Sequence, residues 1–235
     1  MAFIHGSQAR FLYHGSDFSA YAEEVDPSFD REMAEYRPLT SKGVQRLPGY
    51  RTLSISVSGL YSGDDGGSGE QVWAVFDDGL GHPFAYLPQG YDAAQLPAYC
   101  GVANISSEKV TAGNGIIKMP VSVISADEFD RGLTLTPLAR ATMSADSAVC
   151  DGKAQSANGG AAYLFCTAID PGCTGTITIE QSADGAAFTP LIIFDALTAT
   201  GSQLQLVTGT VERYLRVSST VVGGGLTTLV AFARR

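Results

Sequence analysis

Between Pro48 and Tyr61 the sequence PGYRTLSISVSGLY alternates, with Leu53, Ile55 and Val57 set between Thr52, Ser54, Ser56 and Ser58. Period-two alternation describes a strand with one apolar face and one hydroxyl-bearing face. A second face that is small, polar and uncharged suits a sheet with water, and nothing bulky, on that side. The same rule predicts strands at Ala9–Tyr13, Pro83–Leu87, Tyr99–Ser106 and Ile116–Ser125, with Phe18–Val25 extended and a further strand within Leu133–Leu138. Along Ile116–Ser125, Ile117, Met119, Val121 and Val123 share one face and Lys118, Pro120, Ser122 and Ile124 the other. Pro120 has no N–H for a ladder, which assigns it to an edge or a bulge.

One stretch changes period. Val72, Val75, Phe76 and Leu80 fall at helical spacing, Ser68 and Gln71 match a capping box, and Gly79 and Gly81 stand ready to stop the turn. A helix is therefore expected over Gly69–Asp78, packed through Trp73 or its Val/Phe stripe. Asp26–Leu47 is charged, holds two prolines and has no sustained period, so it reads as a long extended loop whose job is contact with a neighbouring subunit. Asp127–Arg131 reads as a charged turn.

Near Pro137–Asp146 the composition shifts, and the remainder is rich in Gly, Ala and Thr with sparse charge. Six short strands are expected there: Ala161–Cys166, Thr174–Gln181, Thr189–Asp195, Gln203–Val207, Tyr214–Ser219 and Leu226–Ala233. Their regular spacing suits an antiparallel sandwich or jelly roll, and Asp184-Gly185 is a hairpin-type turn. The fold class expected of the chain is all-β with one short helix. The division expected is a first β domain at 1–140 and a small antiparallel β-sandwich at 141–235.

Charge narrows the function. The 235 residues carry a formal net charge of −9, with 17 acids against 10 bases through Met143 and 7 against 5 beyond it. An acidic body argues against gripping nucleic acid by its phosphates and is compatible with letting it pass. Met1–Arg10 lacks a cationic, apolar signal segment, and no apolar run is long enough to span a bilayer, so no membrane insertion is expected. Cys100, Cys150, Cys166 and Cys173 form no CxxC pair, and the three histidines are widely spaced, so no metal or cofactor is expected. Cys166 and Cys173 bracket a turn and could bridge, although buried thiols are the ordinary reading. Val222–Leu226 lacks the spacing of a dinucleotide loop. Asp64/Asp65 and Asp77/Asp78 lie beside glycines, as solvated turn carboxylates do. With no G-x-S-x-G elbow, no HExxH and no phosphate loop, no catalytic residue is assigned and the chain is not read as an enzyme.

An ordered series of features in Met1–Ala139 resembles the major tail tube proteins of long-tailed bacteriophages. It comprises FLYHGSDFS (Phe11–Ser19) with its D-x-S, the Thr-Ser-x-Gly element at Thr40–Gly43 and Pro48-Gly49-Tyr50. The strand ending Ser58-Gly59-Leu60-Tyr61, a short helix, the Pro88–Gly90 turn and two further strands complete it. The resemblance implies a twisted β-sandwich with one helix, assembled as homo-hexameric rings. These stack into a tube, each subunit lending strands to a continuous inner barrel through which genomic DNA passes without specific binding. It also implies tape-measure and terminator proteins as partners, synthesis in the host cytoplasm and residence in the virion tail. In the C-terminal part, ITIEQSADGAAF and RYLRV look like the Ig-like or jelly-roll modules that decorate phage virions, facing outward.

On that reading the lumen-lining candidates are Thr52, Ser54, Ser56, Ser58, Lys118 and Ser122, on strands Pro48–Tyr61 and Ile116–Ser125. The inter-subunit arm candidates are Asp30, Arg31, Glu35, Arg37, Lys42 and Arg46. Other β-rich virion parts are the alternative: a head decoration protein, a tail-completion ring, or a glycan-binding fibre module using Tyr163, Phe188 and Tyr214.

Overall fold

The computed structural model describes residues 8–37, 43–63, 67–76, 79–113, 116–127 and 129–235. They form an all-β chain with one short α-helix. In order come β1 (Arg10–Tyr13), β2 (Ser16–Asp17), a 3-10 turn at Phe18–Ala20, β3 (Ala22–Tyr36), β4 (Gln45–Gly59) and α1 (Ser68–Phe76). β5 (His82–Leu87), β6 (Pro97–Glu108), β7 (Thr111–Gly113), β8 (Ile116–Lys118), β9 (Val121–Ser125) and β10 (Asp130–Thr134) follow. The remainder adds β11 (Ala139–Ala141), β12 (Ala145–Asp146), β13 (Cys150–Asp151), β14 (Gly160–Ile169) and β15 (Thr174–Ser182). It ends with β16 (Thr189–Ile193), β17 (Gly201–Val207), β18 (Tyr214–Val222) and β19 (Leu226–Arg234). Among the described residues no helix is long and apolar enough to cross a membrane.

The elements gather into two compact units made of separated stretches. Met1–Ala20, His82–Cys100 and Asp130–Arg235 form one, and Tyr21–Gly81 with Gly101–Phe129 the other. This interleaving replaces the single division expected at 140/141. Strand pairing is the cause: Leu133 and Thr134 of β10 pair with Phe232 and Ala231 of β19, and Ala139–Ala141 pairs with Thr228–Leu226. Residues before 140 are thus locked into the C-terminal ladder.

In the first unit β14 lies between β17 and β19 and is buried on both faces, which is why GAAYLFC reads as a continuous apolar run rather than an alternation. Ala161, Tyr163 and Phe165 point into one core with Leu12 of β1, Leu87 of β5 and Leu229 of β19. Leu164 and Cys166 point the other way, joining Val230 and Phe232 of β19 and the inner residues Ile177, Ile179, Leu215 and Val217. These last come from the sheet β12-β18-β15-β16, with β13 beside β18. The expected C-terminal antiparallel sandwich is present, and all six of its expected strands form. Its core also takes in Leu135, from outside the expected span. Each fully buried large apolar side chain contributes about 1.5–3 kcal/mol, so β14, which feeds two cores, concentrates the unit's stability.

Backbone demands appear at two glycines. Gly15 (φ 77°), after His14 (φ 46°), makes the tight turn between β1 and β2. At Gly132 a Cβ would stand 2.4 Å from the Phe232 carbonyl oxygen, so β10 and β19 approach closely only because that residue is glycine. The D-x-S motif is a local clasp: the Asp17 carboxylate accepts from the Ser19 N–H at 2.9 Å and from the Tyr91 hydroxyl at 2.8 Å. Asp130 and Arg131, expected in a turn, begin β10. All four cysteines are buried free thiols, Cys166 and Cys173 included, and burial pushes the Cys166 thiol up to about 11.

In the second unit the long loop expected over Asp26–Leu47 is corrected. Residues 22–36 and 45–59 pair along their length as an antiparallel ribbon. Pro27 did not forbid this, because β3 pairs with β4 alone among the described strands and so is an edge. Pro120 does interrupt its segment: the single strand expected at Ile116–Ser125 is two, β8 and β9, broken at Met119-Pro120. The helix forms, but its expected capping box does not. The Ser68 hydroxyl instead accepts from the Ser62 N–H and donates to the Leu60 carbonyl, both at 2.9 Å, tying α1 to the end of β4. Val72 and Val75 are buried, while Trp73, Phe76 and Leu80 stay exposed. The valines make the packed stripe and Trp73 does not. Phe18–Ala20, expected extended, is the 3-10 turn.

Candidate assembly surface

β4 has the two faces its alternation implies. Leu53, Ile55 and Val57 are buried, Thr52 and Ser56 are exposed, and Ser54 and Ser58 are half-buried. The apolar face is completed by cross-strand pairs of Val25 with Val57, Pro27 with Ile55 and Phe29 with Leu53. The Phe29 ring lies 5.5 Å from that of Phe129, over which the Arg51 guanidinium sits at 5.3 Å. Buried Val121 and Val123 of β9 extend this face, and the Leu53 N–H is taken up by the Ser125 hydroxyl at 3.0 Å.

Register also decides what shares the opposite face, since directly opposed residues project from the same side of a sheet. Glu24 opposes Ser58, Asp26 opposes Ser56, Ser28 opposes Ser54 and Asp30 opposes Thr52. On the other flank Ser56 opposes Ser122 and Ser54 opposes Ile124, which in turn oppose Ser107 and Asn104 of β6. The result is a four-stranded face carrying mostly hydroxyls, with Ile124 and Asn104 among them, and a carboxylate row along its β3 edge. Glu24, Asp26 and Asp30 are all exposed, and the Ser28 hydroxyl donates to Asp30 at 3.0 Å. Residues two apart on a strand lie about 7 Å apart on the same side, so these side chains present one acidic strip to any large solute.

Five of the six lumen candidates, Thr52, Ser54, Ser56, Ser58 and Ser122, lie on this face. Lys118 follows at its end, through the bridge between Leu60 and Lys118. Its ammonium meets Glu23, at the bulge of β3, at 2.5 Å. Both side chains are about half-exposed, which makes the pair worth little in stability.

The arm candidates are distributed differently. Asp30 belongs to the open face. Beyond it Arg31 opposes Arg51, Met33 opposes Pro48, Glu35 opposes Arg46 and Tyr36 opposes Gln45. From Glu32 to Tyr36 and from Gln45 to Tyr50 every residue is exposed. Arg46 pairs with Glu35 at 2.7 Å, and the Tyr36 hydroxyl donates to the Gln45 side-chain carbonyl. Arg37 follows β3, exposed; Lys42 lies outside the described residues, as do Asp64, Asp65, Asp77 and Asp78. The carboxylate row was missed from sequence although its signal is present. In EEVDPSFD, Val25, Pro27 and Phe29 alternate with Glu24, Asp26, Ser28 and Asp30, and the proline argued the alternation away. Among the described residues no three of His, Cys, Asp and Glu are grouped to hold a metal ion.

Neither protein-family models nor curated proteins match the chain. Solved structures similar to it include tail proteins of phages and phage-like particles. A chain of the virion of a native gene transfer agent particle is 22% identical over 55% of this chain and 98% of that one, with a TM-score of 0.44. The tail tube of SPP1 is 17% identical over 55% and 78%, with a TM-score of 0.46. The SPP1 Dit protein, described as a paradigm of the hub adsorption apparatus of phages infecting Gram-positive hosts, is 10% identical over 96% and 98%, with a TM-score of 0.38.

Proposed function

We propose that the chain is a structural virion protein whose copies assemble as stacked hexameric rings into the tube of a phage tail. The observation that carries this reading is the face formed by β3, β4, β9 and the second half of β6. It is hydroxyl-rich, edged with carboxylates and open to water, and it is bounded by an edge strand of 15 residues. A long unpaired edge invites another chain, and closing such sheets around an axis removes the hazard. With the apolar face turned into protein, the Ser/Thr face lines a water-filled bore. Carboxylates there repel phosphates, so duplex DNA slides without being held. The C-terminal sandwich faces outward, tape-measure and terminator proteins meet the tube, and the protein resides in the virion.

Negative-stain microscopy of the purified protein tests this directly. Open-ended stacks around a six-fold axis are expected. Rings that stop at one layer would instead indicate a completion ring, and a monodisperse monomer at high concentration would defeat the reading.

A further inference from the structure

Four arginines of the first unit reach a carboxylate. Arg140, Arg213, Arg216 and Arg235 meet Asp170, Asp151, Glu180 and Asp130 in turn, at 2.5–2.8 Å. Two others, Arg131 and Arg234, meet none among the described residues, in a chain whose net charge is −9. Arg234 gives N–H groups to the backbone carbonyls of Val211, Glu212 and Arg213 at 2.6–3.1 Å. Burial lowers its pKa, with Glu212 acting the other way, yet a guanidinium stays charged. Arg131 lies over the Tyr99 ring at 5.9 Å.

Both cations line one hollow of about 280 Å³, set within the first unit between the two sheets of the sandwich. Leu133 of β10 opposes Phe232 of β19. Carried two residues outward, that register sets Arg131 across from Arg234, and like charges opposed on a sheet repel. The facing wall is Cys150 of β13, opposed to Leu215 of β18. The thiol donates to the Leu135 carbonyl at 3.5 Å and burial keeps it neutral, so the floor carries no charge. At Gly152 a Cβ would stand 2.6 Å from the Arg234 guanidinium, so glycine there leaves the cation uncovered on the hollow's side. Gln95, at the lip, is held at φ 63° with its N–H on the Thr134 carbonyl at 2.7 Å. A non-glycine residue in that region is uncommon and tends to mark a ligand clamp.

We propose that this hollow binds a small organic carboxylate with an apolar body, such as a medium-chain fatty acid or an aromatic acid. The apolar part enters between Phe232, Leu215 and the Cys150 thiol. The carboxylate rests at the mouth between Arg131 and Arg234, where it offsets their repulsion through charge-assisted hydrogen bonds. Size agrees, because a dry cavity of about 150 Å³ already accepts benzene, and the volume here lies near the small end of ligand pockets. A phosphate would satisfy the cations and leave the apolar walls unused. The site belongs to the first unit alone, so its failure leaves the proposed tube untouched.

Titration calorimetry on the full chain at low salt tests this with 2-naphthoate and octanoate. Saturable binding of one acid per chain is expected, with a Kd on the order of 0.1–1 mM. The neutral analogue 2-naphthalenemethanol and inorganic phosphate should each bind at least about tenfold more weakly. Arg131→Gln removes a guanidinium that holds no described carboxylate, so its urea midpoint should match the parent's. It should weaken naphthoate at least about tenfold and leave the alcohol unchanged. Leu133→Trp, at a position already 39% exposed on the wall, should fill the mouth and exclude both acids; should it fail to fold, Arg131→Gln decides. Tighter binding of N-acetylphenylalanine than of naphthoate would assign the hollow to the end of a peptide chain and overturn the small-molecule reading. The proposal is also overturned by phosphate or the alcohol binding as tightly as the acids, by an unchanged affinity in Arg131→Gln, or by no saturable binding of either acid up to about 10 mM.

Discussion

Phe165 and Leu164 are neighbours in sequence with opposite destinations: one enters the core shared with β1 and β5, the other the core of the C-terminal sandwich. Phe165→Ala removes a fully buried ring from a strand held by β17 and β19, where the backbone has little freedom to collapse into the gap. The expected loss is about 3–5 kcal/mol, read as a lower urea midpoint. A loss below about 1 kcal/mol would show that β14 is not packed as described. Charged side chains act at the surface of the same sandwich. The Asp184 carboxylate accepts from the N–H groups of Ala186 and Ala187 and from the Ser182 hydroxyl, which hold its pKa down to about 2 against 3.8. The unfolded chain therefore binds the proton first on acidification. The stabilisation is present above about pH 4 and is lost as pH falls towards 2. Asp184→Ala should melt lower than the parent at neutral pH, and the two melting curves should converge near pH 2. A constant offset across that window would show that the carboxylate's charge is not what the turn uses.

At the scale of elements the β3–β4 ribbon is the part most dependent on its surroundings. Its inner half rests on Phe129 and the valines of β9, whereas its outer half, past Arg31 and Arg51, has every residue exposed or nearly so. Trypsin should cut free copies first at Arg46, in the exposed outer half of β4; Arg37 is followed by Pro38 and is not a tryptic site. Assembled copies should be cut there at least about tenfold more slowly, since protection follows how rarely the segment opens. Equal rates in the two states would mean that the ribbon stays unpartnered on assembly. This ribbon is also where local pattern was least informative. The two faces of β4 were legible because Leu53, Ile55 and Val57 alternate without interruption. The C-terminal strands were legible because Gly and Asp turns punctuate apolar runs. β3 was not, because Pro27 weighs against a strand unless the strand lies at an edge, and edge position is a long-range fact. The Ser68 hydroxyl likewise looked like a helix cap from local spacing but found nearer partners in the end of β4. The interleaving of the two units follows from β10 and β11 choosing β19, some ninety residues on, and nothing in their short sequences names that partner.

For the whole molecule, the open face and the net charge of −9 make one physical statement about what can lie against it. Duplex DNA carries about one negative charge per 1.7 Å of axis, so in the tube proposed above a wall repeating Glu24, Asp26 and Asp30 would keep it at a distance, and the intervening hydroxyls would offer only exchangeable hydrogen bonds. Changing the sign of that wall should change the outcome without changing the wall. Ser54→Lys with Ser56→Lys places two ammonium groups per copy at the centre of the face, opposite Ser28 and Asp26. In the proposed water-filled bore a flexible lysine stem at either position would extend into water, so stacks of the variant should match the parent in length under negative stain. They should retain short fluorescent duplexes at low salt and release them as salt rises, while parent stacks retain none. A folded variant that fails to assemble would show that the face is packed against protein instead of water, and the bore would then have to be lined by other strands.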